Sequence, residues 1–333
     1  MQSRHTLARV AVLVSLSAGL GLSAAACGKY SISNLKATKA WKEGNEAYGK
    51  ADWKEAADKY EAALQDNPNP APDSNLNTTY FYLGNSYDQM YKPSRKGQPD
   101  NDAYLQKAVE NYKLATEHEI DPARRKLAYE YLIATYGPDK LNDFDKAEPL
   151  AKKLIELEPN EPVNYTALGG LYEEVKRLPE AEAAFKMAVE VKPSDPAVYQ
   201  YLAGYYNRHG QFEKTIEALE QRAEREPNNP EAFHMVATYY EDEAFKDVRL
   251  DSAKKVEYIK KGLAADDRAL AINPNYPEAL IYKNILLRME GNMEPNLTKR
   301  AELYKEADQV REKGMEMQKQ QNAAAAARGR GGQ

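Results

Sequence analysis

The sequence predicts an all-α fold in which antiparallel helix hairpins stack one on the next and a C-terminal hairpin caps the stack. Three observations predict it. First, "NYTALGGLYEEVKRLPEAEAAFKMAVEVKP", "VYQYLAGYYNRHGQFEKTIEALEQRAEREP" and "AFHMVATYYEDEA" align with Tyr165, Tyr199 and Phe233 in register, a spacing of 34 residues, and a fixed period of this size is the signature of a repeat architecture. Second, each period carries the same lattice: in the clearest copy Tyr165, Leu168, Gly169 and Tyr172 precede Ala181, Phe185, Ala188 and Pro193. Two helices of a hairpin approach to roughly 8–10 Å, so small residues sit where they cross and large ones fill the gaps, and proline ends the second helix. Third, 42% hydrophobic and 29% charged residues with few β-branched runs favour helices around a sizeable core.

The elements follow in chain order. Arg4 and Arg9 lead into the apolar run Val10–Ala26, and no acidic residue precedes Glu43; this is the pattern of a secretory signal peptide over residues 1–26. Cys27 directly follows Ala24, Ala25 and Ala26 and is the one cysteine of the chain. The segment resembles a bacterial lipobox, in which the thiol is acylated and the chain is cut in front of it, although Ala24 stands where leucine is usual. The same alanines also fit ordinary signal peptidase, and a retained membrane helix is a third reading. A lone exported thiol has no disulfide partner, which favours acylation of Cys27, with residues 27–36 as the linker from the anchor. Stable anchoring takes several acyl chains, as bacterial lipoproteins carry. Gly28 and Lys29 lack the aspartate that retains enteric lipoproteins at the inner membrane, so the outer membrane, facing the periplasm, is the expected location, with a soluble periplasmic or secreted form as the alternative. Beyond Ala26 no apolar run approaches the roughly 18 residues that cross a bilayer. Loss of Arg4 and Arg9 takes the formal charge from −5 to −7, which excludes nucleic acid as an expected partner.

Six repeats are read over residues 37–276. The first has Gly44, Ala56, Tyr60, Ala63 and Pro68; the second Tyr80, Leu83, Gly84 and Tyr87, then Ala108, Tyr112 and Ala115. The third has Tyr129, Leu132 and Tyr136, then Ala147 and Pro159, with Ile133 and Leu154 at small positions. The fourth is the copy from Pro162; the fifth, from Pro196, carries Thr215 and Arg222 at small positions; the sixth has Phe233, Val236, Ala237 and Tyr240, then Gly262, Ala269 and Pro274. Residues 277–320 read as a degenerate seventh hairpin whose polar outer face closes the open end. Residues 321–333, "QNAAAAARGRGGQ", have no apolar period and are expected to be disordered. Insertions near 91–103, 137–143 and 244–256 all fall between the two helices of a hairpin, so they are expected along one rim.

The period and these residues resemble the tetratricopeptide repeat (TPR), which implies a right-handed α-solenoid. "YKPSRKG", "YGPDKLND", "YNRHGQFEKTIEALEQR" and "YKNILLR" resemble segments of a largely uncharacterised group of bacterial TPR lipoproteins with the same hairpin order. Fold alone assigns no activity.

The chemistry of catalysis is hard to find. His118, His209 and His234 have no second histidine at ligand spacing, and there is no Gly-rich phosphate loop, G-x-S-x-G or EF-hand loop. Catalytic residues, metal and cofactors are therefore expected to be none. In a TPR superhelix the concave wall is lined by first-helix side chains that do not pack within the repeat. By position these are Trp41, Asn45, Tyr48, Phe81, Asn85, Asp88, Glu130, Gln200, Asn207, Arg208, His234, Glu241 and Asp242. Trp41 and Phe81 are candidate anchors, because exposed aromatics dominate interface energy; burial by the neighbouring repeat is the competing reading for both. TPRs that hold chaperone tails use lysines, an arginine and two asparagines around a carboxylate. Asn45 matches one of those places, while Trp41, Tyr82, Leu127 and Tyr131 occupy others, so that clamp is missing. The expected function is a lipid-anchored, non-enzymatic scaffold that binds partner polypeptides through the groove and rim loops. The alternative is an enzyme or small-ligand binder whose site is built from the rim insertions.

Overall fold

The computed structural model describes residues 31–330; the segment read as a signal peptide, residues 1–26, and Cys27 lie outside the described residues. Packing divides the helices into two compact units. The first runs to Glu158 and takes in the short stretch Glu174–Lys176, which begins with the last residue of the helix Pro162–Glu174, and the second covers Pro159–Glu173 and everything from Arg177 onward.

In the first unit three hairpins follow one another: α1 (Ile32–Gly49) with α2 (Trp53–Asp66), α3 (Thr78–Met90) with α4 (Pro99–His118), and α5 (Pro122–Tyr136) with α6 (Phe144–Leu157). Each helix packs on the next, and the first helices of successive hairpins also touch. The second unit contains α7 (Pro162–Glu174) and α8 (Leu178–Val191), α9 (Pro196–Arg208) and α10 (Phe212–Arg225), α11 (Pro230–Lys246) and α12 (Ser252–Ile272), and α13 (Pro277–Met293) and α14 (Leu297–Arg330). Among the described residues no element is a strand and no helix is long and apolar enough to cross a membrane.

Local chemistry fixes the boundaries. Proline is the first residue of α5, α7, α9, α11 and α13, a position whose missing N–H no helix needs. Asp121, Asp195 and Asn229 cap three of these helices by accepting backbone N–H bonds. The turn within a hairpin places one residue in the left-handed region two places before the second helix: Ala51, Asn142, Lys176 and Gly210, with φ between 53° and 65°.

The small-residue lattice does what its spacing requires. A Cβ on Gly44 would lie 2.7 Å from the Tyr60 ring, on Gly84 2.9 Å from Tyr112, and on Gly169 3.0 Å from Phe185. The absent side chain is the space that the second helix's aromatic fills. Ala56, Ala108, Ala147, Ala181, Ala188 and Ala269 are fully buried. The tyrosine early in the first helix ties back to the proline that closed the previous hairpin, with Tyr80 donating to Pro68, Tyr165 to Pro159 and Tyr199 to Pro193, at 2.9–3.2 Å.

A later tyrosine forms a latch between hairpins. Tyr87 of α3 donates to Glu61 of α2 while Lys107 of α4 lies 3.3 Å from that carboxylate and 4.5 Å from the ring centre. Tyr206 of α9 repeats this with Glu182 of α8 and Lys214 of α10, at 3.0 and 3.2 Å. Tyr240 of α11 stands between Glu220 of α10 and Lys261 of α12 in the same arrangement. Burial, then the Glu61 hydrogen bond, pushes the Tyr87 phenol up to about 12. Lys186 first, with Lys214 and Tyr206, draws Glu182 down to about 2.

Four segments differ from the sequence reading. The linker expected over 27–36 is helical from Ile32, because the Ser31 side chain accepts from Asn34 N and caps α1. The insertions near 91–103 and 244–256 lengthen helices instead of making long loops: α4 begins at Pro99, α11 runs to Lys246 and α12 begins at Ser252. Buried Asn101 closes the shorter loop that remains, bonding both backbone groups of Lys92. The insertion at 137–143 does stay a loop, and Lys96 of the first insertion donates to the Pro138 carbonyl, so these two share one edge. Residues 321–330 of the expected disordered tail continue α14; a run of five alanines from Ala323 has the highest helix propensity available.

Candidate partner-binding surfaces

The first helices of the first unit carry Trp41, Asn45 and Tyr48 on α1, Phe81, Asn85 and Asp88 on α3, and Glu130 on α5. The polar groups of Trp41, Asn45, Tyr48, Asn85 and Asp88 are engaged within the unit. Tyr60 donates to Asn45 Oδ1 at 2.8 Å, Tyr48 to Asn85 Oδ1 at 2.7 Å, and Asn85 Nδ2 to the Tyr112 hydroxyl at 3.3 Å. Asp88 is buried and holds Lys140 of the 137–143 loop at 2.6 and 2.7 Å. Trp41 is half-buried and donates from Nε1 to Thr78 Oγ1 at 3.1 Å, beside a cavity of about 920 Å³ formed with the α2–α3 connection. Glu130 is half-buried.

Phe81, Asn85 and Asp88 thus lie inside the wall and not on it. Phe81 belongs to an edge-on series of rings, with Trp53–Tyr48 at 5.2 Å, Tyr48–Tyr82 at 5.0 Å, Tyr82–Phe81 at 5.4 Å and Phe81–Tyr131 at 5.5 Å. Tyr82 and Tyr131 are half-buried members of this series that the sequence reading did not assign to the groove. The signal was there, since both occupy places where carboxylate-clamp TPRs carry polar residues. Burial raises the Tyr48, Tyr60 and Tyr112 phenols above their ordinary range, so these hydroxyls stay protonated donors.

The second unit is built differently. Gln200, Asn207 and Arg208 of α9 are exposed. Between α7 and α9 lies a depression of about 340 Å³ floored by Thr166, Gly170, Phe185 and Gly204 and flanked by Val163 and Tyr201. Nothing approaches within 4 Å of a Cβ placed on Gly170, and one on Gly204 would meet only the Arg208 guanidinium. Val163 and Tyr201 are 45% and 51% exposed, so the depression has an apolar lip. Its end is charged: Arg208 grips Glu173 of α7 through two 2.8 Å bonds, and His209 Nε2 lies 3.0 Å from the same carboxylate. The Arg208 bond is the main cause of a lowered Glu173 pKa.

His234 of α11 is buried, with Nδ1 2.8 Å from Asp266 Oδ1 and its ring edge-on to Tyr276 and Tyr282. It holds α11, α12 and α13 together and does not face a groove. Asp266 is fully buried, its Oδ2 has no hydrogen-bond partner, and burial pushes its pKa up to about 6. Glu241 is half-buried and raised by burial and then by Asp242, which is exposed and paired with Lys246 at 2.5 Å. A second groove, of about 570 Å³, opens on the second-helix side between α10 and α12, over Phe233, Val236 and Tyr240. A reading confined to first-helix faces does not reach it. Among the described residues no cluster of three metal-ligating side chains forms.

Two tetratricopeptide repeat family models match the chain, one over residues 140–205 and one over 196–239. With the hairpin order above, they define the class: the chain carries tetratricopeptide repeats over residues 140–239 within an all-α solenoid, and repeats of this kind serve as protein–protein interaction scaffolds. Among solved structures, the C-terminal part of a TPR repeat-containing protein from Cytophaga hutchinsonii is similar at 14% identity and a TM-score of 0.52, covering 83% of this chain and 98% of that one. A tetratricopeptide repeat protein from Parabacteroides merdae is similar at 14% identity and a TM-score of 0.46, covering 82% and 99%. YrrB, a TPR protein described with an unusual peptide-binding site, is similar at 15% identity and a TM-score of 0.37, covering 63% and 99%. No curated protein matches the chain.

Proposed function

We propose that the chain is a non-enzymatic scaffold of the bacterial envelope, acylated at Cys27 and held at the outer membrane facing the periplasm, which grips a partner polypeptide on its first helices and rim loops. The depression between α7 and α9 carries the binding part of this reading. It pairs exposed apolar groups, Val163 and Tyr201, with glycines that let a partner backbone approach, and aromatic anchors in such pockets dominate interface energy. The N-terminal pattern of Arg4, Arg9, the apolar run and Cys27 supports export and anchoring.

A photo-crosslinking residue in place of Tyr201, in the full chain in cells, is expected to trap one discrete partner, and the same residue in place of exposed Lys186 on α8 is expected not to. No adduct from the Tyr201 position, or the same adducts from both, overturns the groove. Cys27→Ser is expected to abolish acyl labelling and release the chain from membranes; retention of both overturns the anchor.

A further inference from the structure

The start of α1 carries a face that is largely exposed. Ile32 and Leu35 are 76% and 56% exposed, and Lys36, Lys39 and Lys42 are exposed. Positions 32, 35, 36, 39 and 42 lie along one side of a helix. The opposite side is occupied: Ala37 is fully buried and Gly44 packs on Tyr60. Lys39 reaches Glu43 at 3.7 Å, and among the described residues Lys36 and Lys42 have no ion pair. Glu43, the first acid in the chain, and exposed Glu46 share this side of the helix further on, and Leu35 and Lys42 border the cavity of about 920 Å³ that Asp66 and Asp73 also line. The basic part of the face is therefore its first three turns, residues 32–42, on a protein whose formal charge is −5.

We propose that this face rests on an anionic phospholipid surface, with Ile32 and Leu35 entering the interfacial layer and Lys36, Lys39 and Lys42 lying among the headgroups. The proposal rests on the reading of Cys27 as the acylated residue and says what the anchor does to the fold. Five residues lead from Cys27 to Ile32, at most about 17 Å of extended chain, so an acyl anchor holds the first turn of α1 within that distance of the bilayer. Two aliphatic side chains beside lysines on a helix are the composition that interfacial helices use. Each lysine near an anionic surface multiplies partition by about five. The face is too small to bind permanently alone; it orients an already tethered solenoid by seating its first hairpin on the membrane.

The test uses the chain from residue 27 on with Cys27→Ser, so that no acyl group contributes. It is expected to float with phosphatidylglycerol–phosphatidylethanolamine vesicles at low salt, to be released by high salt, and not to float with phosphatidylcholine vesicles. Lys36→Gln, Lys39→Gln and Lys42→Gln together are expected to weaken partition roughly a hundredfold with unchanged circular dichroism. Ile32→Ser with Leu35→Ser is expected to weaken it while keeping its salt dependence. No flotation with the anionic vesicles, or equal flotation by the triple variant, overturns the proposal. The mass of the N-terminal peptide from cell-derived protein separates the two readings. An acylated Cys27 without vesicle binding by the Cys27→Ser chain overturns this surface and leaves the anchor. Vesicle binding with an unmodified Cys27 supports the surface and overturns the anchor.

Discussion

The first helices of the two units occupy equivalent places in their hairpins, yet their side chains have opposite fates. In the first unit Asn45, Asn85 and Asp88 are each bonded within the unit, to Tyr60, to Tyr48 and Tyr112, and to Lys140, behind a series of rings. In the second, Gln200, Tyr201 and Asn207 of α9 stay exposed beside a depression floored by Gly170 and Gly204. Position in the repeat decides which way a side chain points. Whether a neighbouring hairpin supplies a large aromatic or only a glycine decides whether that side chain is left for a partner.

The contrast is sharpest at Lys140. Lys140→Ala leaves the buried Asp88 carboxylate without its cation, and unfolding measurements are expected to show a loss of about 3 kcal/mol, while trapping from the Tyr201 position persists. Asp266→Asn probes the interior of the second unit. Because the Asp266 pKa rises on folding from 3.8 to about 6, the folded state holds that proton more tightly. Its contribution is most favourable below pH 3.8 and is lost as pH rises toward about 6. An amide there still accepts from His234 without burying a charge. Asp266→Asn is therefore expected to exceed wild type in stability by about 3 kcal/mol at neutral pH, with the difference vanishing in acid; an unchanged difference across a pH series refutes it. Tyr48→Phe removes the donor to buried Asn85 and is expected to cost about 1–2 kcal/mol, again without effect on partner capture. Tyr201→Ala reverses the pattern: a change within about 0.5 kcal/mol in thermal unfolding, with the partner no longer co-purifying with the chain.

Much of the fold was legible because its determinants are local and periodic. The 34-residue spacing, the prolines at helix starts and the pairs Gly44–Tyr60, Gly84–Tyr112 and Gly169–Phe185 follow from how two helices cross. The exposure of groove positions was not legible, since it depends on the neighbouring hairpin. Phe81 looks like an anchor until Tyr82 and Tyr131 close around it, and His234 looks like a groove residue until Asp266 and two tyrosines from α13 and its N-terminal flank enclose it. A residue count does not separate a loop from an added helical turn, and Pro99 and Ser252 start helices inside the segments read as insertions. In the tail, the absence of an apolar period hid a run of alanines that needs no packing to favour a helix.

The tyrosine–glutamate–lysine latch has a consequence for how such a chain comes apart. Its acid belongs to one hairpin and its phenol and cation to the next, so no hairpin owns a complete latch, and melting one leaves its neighbour holding half. Units coupled this way behave as a row of spins, in which a boundary between ordered and disordered segments costs free energy wherever it sits. Fraying is then expected to proceed in hairpin-sized steps that pause at Tyr87, Tyr206 and Tyr240, so that hydrogen exchange would show plateaus along the chain in place of a smooth gradient.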